Sequence, residues 1–125
     1  MDTRTRFGLL LAFAPVLGAS PAAAQAPAGV TAVAIAQGDS IFHSKGNCYA
    51  CHGANAQGAV GPNLTDAEWI HSDGSYDAIV KQVTAGVPKE ESKSGIPMPA
   101  KGGSSITDDE VKAVAAYVYS LSHKS

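Results

Sequence analysis

The chain is short of several things, and each shortage removes a class of protein. Among its 125 residues cysteine occurs only at Cys48 and Cys51, arginine only at Arg4 and Arg6, and tryptophan only at Trp69. With a formal net charge of −2 and no basic run, the chain lacks the electrostatic footprint of a nucleic-acid binder. The longest apolar stretch, Phe7 to Gly18, falls short of the roughly 20 residues that span a bilayer. A zinc site needs ligands beyond the two thiols, and His43, His71 and His123 are too scattered to form a second paired half-site. There is no internal repeat and no alternating pattern that would pair strands.

What is present begins with an export pattern. Arg4 and Arg6 form a positive n-region, the apolar stretch follows, and Ala22-Ala23-Ala24 offers a small-residue cleavage site. Residues 1–24 are therefore expected to be a signal peptide, and no cysteine near the cleavage site allows a lipid anchor. The alternative is a retained membrane anchor. Loss of Asp2, Arg4 and Arg6 takes the count from 11 acids and 9 bases to ten and seven, a net of −3. Residues 25–32, rich in Ala, Pro and Gly, read as a disordered leader. Residues 33–125 form one small domain whose core is thin for its size.

The most informative stretch is Cys48-Tyr49-Ala50-Cys51-His52. C-x-x-C-H is the spacing of a covalent c-type haem site. Two thiols three positions apart can each bond one vinyl group of a single porphyrin. The adjacent His52 is then held under the ring as proximal iron ligand. In an exported chain two thiols ordinarily suggest a disulfide, but the following histidine favours haem. A buried haem also supplies the apolar surface that a domain of this size lacks.

Met98 is the candidate for the sixth ligand position. Met1 leaves with the signal peptide, so Met98 is the one thioether in the mature chain. A lone methionine is usually core filler. This one stands between Pro97 and Pro99 in a polar, glycine-rich loop, and prolines lower the cost of holding a side chain in place. His71, following Trp69-Ile70, is the rival. His43 and His123 are expected to be exposed. Trp69 is a candidate partner for a haem propionate through its indole N–H.

Around these residues the periodicity predicts three main helices and short turns, an all-α domain. Ile35, Gly38, Ile41 and Phe42 mark the first helix, with Gly46-Asn47 as its expected end. Thr65-Asp66-Ala67-Glu68 has a capping-box pattern for a short helical turn carrying Trp69 and Ile70. Ser75 caps a helix with Tyr76, Ile79, Val80 and Val83 on one face, ended by Gly86 and Pro88. Thr107-Asp108-Asp109-Glu110 caps the last, with Val111, Val114, Val118 and Leu121 as its stripe.

These motifs together resemble the class I c-type cytochromes, small monohaem electron carriers. The match runs over about Val33 to Ser122: Gly38-x-x-x-Phe42 before the haem motif, Gly61-Pro62-Asn63-Leu64-Thr65, Met98-Pro99 and Ala116-Tyr117-Val118. The Pro-Asn-Leu-Thr-Asp…Trp segment resembles bacterial members, including haem domains of cbb-type oxidase subunits. The resemblance implies a cytochrome c-like fold in which Pro62 offers its carbonyl to His52, and Gly38, Phe42 and Tyr117 meet where the first and last helices cross. It implies one haem c on Cys48 and Cys51, His52 and Met98 on iron, and electron transfer rather than enzyme catalysis. The expected compartment is the periplasm. The expected partners are redox proteins: a dehydrogenase, a cytochrome bc-type complex or a terminal oxidase. The lysine ring by which mitochondrial members dock is missing from this mildly acidic chain.

Overall fold

A computed structural model describes residues 8, 10–16, 18 and 25–124. The basic Arg4 and Arg6 and the cleavage site Ala22–Ala24 lie outside these residues. Among the described residues no helix is long and apolar enough to cross a membrane. The fold is helical: α1 (Ala32–Phe42), α2 (Tyr49–His52), α3 (Tyr76–Ala85) and α4 (Asp108–Ser122), with a 3-10 turn at Ala100–Gly103. The three longer helices are those the periodicity predicts.

Each longer helix starts on a hydroxyl. Thr31 Oγ1 accepts from the Ala34 N–H, Ser75 Oγ from Ala78, and Thr107 Oγ1 from Glu110. At α4 the Glu110 carboxylate accepts from the Thr107 N–H in return, completing the capping box. Residues ahead of α1 also have structure. Val30 N–H bonds Pro27 O at 2.8 Å, a turn within the segment read as a leader.

α1 and α4 cross at Gly38. A Cβ there would lie 1.9 Å from the Ala113 carbonyl oxygen, so only glycine lets the two backbones come this close. Phe42, completely buried, meets the edge of Tyr117 with ring centroids 5.3 Å apart. Ile41, Ile106, Val111, Val114 and Val118 fill the space around this crossing, and Ile79 and Val83 of α3 close it from the side.

Three local expectations are corrected. α1 ends at Phe42, four residues before Gly46, because Ser44 and Gly46 both turn back onto the Ile41 carbonyl. Thr65–Glu68 forms no helical turn. Asn63 Oδ1 accepts from both the Thr65 N–H and its hydroxyl, and Asp66 Oδ1 accepts from Glu68 N–H, so side-chain turns replace the helix. Finally, Val87 and Met98 form an isolated antiparallel bridge where no strand pairing was expected.

Candidate haem site

The site grows out of one short helix and the loop that wraps it. α2 leaves its last carbonyls without helical partners. The following loop supplies them: Gly61 N–H bonds Cys51 O at 2.8 Å and Gly58 N–H bonds His52 O at 2.7 Å. This folding-back carries Pro62 over the histidine. Pro62 O accepts a hydrogen bond from His52 Nδ1 at 2.9 Å. With its proton fixed on Nδ1, the ring keeps the Nε2 lone pair free, as a metal-bound imidazole requires. Gly61 completes the cradle, since a Cβ there would stand 2.9 Å from His52 Cε1.

His52 is buried, and that burial lowers its pKa against the opposing pull of the Pro62 carbonyl. The imidazole is therefore held neutral, ready to donate its lone pair. Burial also pushes the half-buried Cys48 thiol up to about 11. Cys51 is exposed, and the two cysteines form no disulfide with each other.

Beside α2 lies a cavity of about 490 Å³, within the range of roughly 300–1,000 Å³ typical of cofactor sites. Cys48, Cys51, His52, Pro62, Trp69 and Met98 all line it. The six residues singled out from the sequence thus come together on one cavity. Its apolar wall comes from Leu64, Ile79, Val83, Val87 and Val118, which sequence reasoning assigned to the core or left unassigned. His71 also reaches the cavity but is exposed. His43 and His123 lie elsewhere. His43 bonds backbone at Asp39 and Ala54, and His123 stacks on Tyr119 with ring centroids 3.8 Å apart.

The chemistry fits a covalent porphyrin. Two thiols sit one helical turn apart at the cavity wall, a neutral imidazole is oriented by a carbonyl, and the remaining wall is largely apolar. This is the haem-binding domain of a c-type cytochrome, taking one haem c through Cys48 and Cys51.

Comparison with known proteins places it further. Residues 33–118 match the family model for cytochrome c oxidase, cbb3-type, subunit III, and the chain belongs to that family. It is similar to the cbb3-type cytochrome c oxidase subunit CcoP of Rubrivivax gelatinosus, 41% identical over 90 residues, or 71% of this chain and 26% of that protein. It also resembles CcoP of Azospirillum brasilense, 38% identical over 100 residues, or 75% of this chain and 33% of that protein. The chain thus spans between a quarter and a third of the length of these relatives. Among solved structures it resembles cytochrome cL of Methylophaga aminisulfidivorans, with a TM-score of 0.59 and 25% identity over 75% of this chain and 57% of the other.

Proposed function

We propose that this domain passes single electrons between redox proteins in the periplasm, with His52 and Met98 as the axial ligands of its haem iron. The observation that carries the reading is the pairing of a carbonyl-oriented His52 and the Met98 side chain on the walls of one apolar cavity. The bound haem supplies one-electron chemistry. The chain's residues hold it, keep water from it and fill both axial positions. Imidazole-and-thioether ligation raises the potential, and a filled sixth position leaves no room for oxygen or peroxide. The domain is therefore a carrier rather than a catalyst. Trp69, half-buried on the cavity wall, would offer its indole N–H to a haem propionate.

The docking face is the cavity mouth. Val60, Ile70 and Ile96 all line the cavity and stay exposed, at 46%, 45% and 51%. Small apolar contacts of this kind suit brief redox encounters. The family relatives are oxidase subunits, which favours a terminal oxidase among the three expected partner classes.

Met98→Ala tests the reading. The haem should stay attached, because its thioether bonds do not involve Met98. The midpoint potential should fall by several multiples of 59 mV, each a tenfold change in a one-electron equilibrium. Cyanide should bind rapidly through the opened position. An unchanged potential, spectrum and cyanide rate would remove Met98 from iron and make His71 the next residue to substitute.

A further inference from the structure

His43 is absorbed by neither the fold nor the haem site, yet both of its ring nitrogens are engaged, whereas His52 uses only one. It stands at the C-terminal end of α1. Its Nδ1 lies 2.8 Å from the Asp39 carbonyl oxygen and 2.8 Å from the Asp39 carboxylate. Its Nε2 lies 2.6 Å from the carbonyl oxygen of Ala54, two residues beyond His52. A carbonyl oxygen only accepts. Both ring nitrogens must therefore carry hydrogen for both bonds to form, and only the imidazolium does so. In the neutral ring one nitrogen lone pair would point at an oxygen lone pair.

The other groups packed around the ring do not upset this balance. Phe42 on α1 and Tyr49 on α2 present aromatic rings at 5.0 and 6.4 Å between centroids, and Tyr117 of α4 presents its edge at 6.0 Å. Asp39 is the charge facing the ring and favours the cation. The phenol of Tyr117 is pushed up by burial and by Asp39, so it stays neutral. The His43 pKa is accordingly raised, chiefly by the Ala54 carbonyl, then by the Asp39 carbonyl. The imidazolium also sits at the negative end of the α1 dipole, which adds to its stability.

We propose that His43 is a proton-dependent positioning residue, an imidazolium clamp that ties α1 to the haem-binding segment at Ala54 and couples proton uptake to reduction of the iron. The proposal rests on the electron-carrier reading above. Oxidation leaves one more positive charge on the iron, and the clamped segment carries that iron's proximal ligand. The oxidised domain therefore holds the His43 proton less tightly than the reduced one. By linkage the potential falls as pH rises through the His43 titration, by the same factor. With haem bound, arrival of one electron from the donor would be matched by uptake of a fraction of a proton from solvent at the His43 imidazole. Oxidation returns both. The clamp also has a stability signature. A raised folded-state pKa contributes stability that is full below the unfolded value near 6.5 and is lost as pH rises through the folded value.

The test uses the haem-loaded protein. NMR titration of the His43 ring in the oxidised and the reduced protein gives its two acid constants without any substitution. Voltammetry from acid to alkaline pH on wild type, His43→Gln and His43→Lys reads the potential. The reduced protein should bind the His43 proton at least twofold more tightly, a potential step of about 18 mV at 59 mV per tenfold. The step should vanish in His43→Gln, which is neutral, and in His43→Lys, which keeps its charge throughout the range. Equal acid constants in the two redox states, or an undiminished step in His43→Gln, would overturn the proposal. Failure of the wild-type iron to cycle reversibly would instead strike the carrier reading, and would leave the titration of the ring to be read alone.

Discussion

Val87 and Met98 face each other as an antiparallel backbone pair, each donating its N–H to the other's carbonyl at 2.9 Å. The pair joins the second residue beyond α3 to the candidate iron ligand across the ten intervening loop residues, Pro88 to Pro97. Val87 is buried, so its end of the pair is anchored in the core. Gly86 makes the approach possible: its φ is +73°, and a Cβ on it would lie 2.4 Å from the Met98 carbonyl oxygen.

Gly86→Ala should therefore loosen Met98 without touching the haem attachment. The expected result is full haem content, a weaker ferric methionine–iron charge-transfer band and faster cyanide binding than wild type. A band and binding rate identical to wild type would show that the bridge does not position the ligand.

Gly38→Ala should act on stability alone. The added methyl drives into the Ala113 carbonyl, and such overpacking costs typically 1–3 kcal/mol, at times more. Thermal unfolding of the loaded protein should show a clear drop in Tm, with the midpoint potential unchanged. A retained Tm would mean that α1 and α4 slide apart at little cost.

Much of this architecture was legible in the sequence, and the reason is local. Ser75 and Thr107 cap helices through contacts three residues away, and the C-x-x-C-H spacing is complete within five residues, whereas the Thr31 cap of α1 falls in a segment read as leader. Pro62 as the partner of His52 came from family resemblance, and the 2.9 Å bond matches it. The misread pieces depend on competition or distance. Thr65 looked like a helix cap, but Asn63 captures both its N–H and its hydroxyl, a choice that the capping pattern does not encode. The Val87–Met98 pair uses only backbone atoms far apart in the chain, so it leaves no side-chain pattern to find. The bonds of His43 were equally hidden, because Ala54 contributes only its carbonyl.

Thr107→Ala should cost about 1 kcal/mol, the usual worth of a helix N-cap, and lower Tm by about 4–8 °C in a domain of this size. The loss should be partner-dependent, because Glu110 also pairs with Lys45 on the segment after α1. The Glu110 pKa is lowered first by Lys45 and then by the Thr107 backbone. Its contribution is present above the unfolded carboxylate value and disappears as pH falls through the lower folded value. Acid titration of stability should thus be shallower in Lys45→Met than in wild type; an identical acid limb would remove the pair from the stability account.

Salt should matter little to docking. The cavity mouth offers Val60, Ile70 and Ile96 rather than a ring of one charge, so electron exchange with a redox partner should vary only weakly with ionic strength. Ile96→Lys should slow that exchange and make it salt-dependent. A steep salt dependence in wild type would place the docking face elsewhere.

The wall that receives the haem is also the inner face of the protein. Ile79 and Val83 belong at once to the packed core and to the cavity lining, and Leu64 and Met98 lean on the same cluster. A chain that has not received its porphyrin therefore keeps the α1–α4 crossing but leaves Ile79, Val83, Leu64 and Met98 with little to close upon. Such a chain should be cut by proteases faster than the haem-loaded protein. The amount of this domain that survives in the cell should then report the supply of haem and of the machinery that attaches it, independently of how strongly the gene is read.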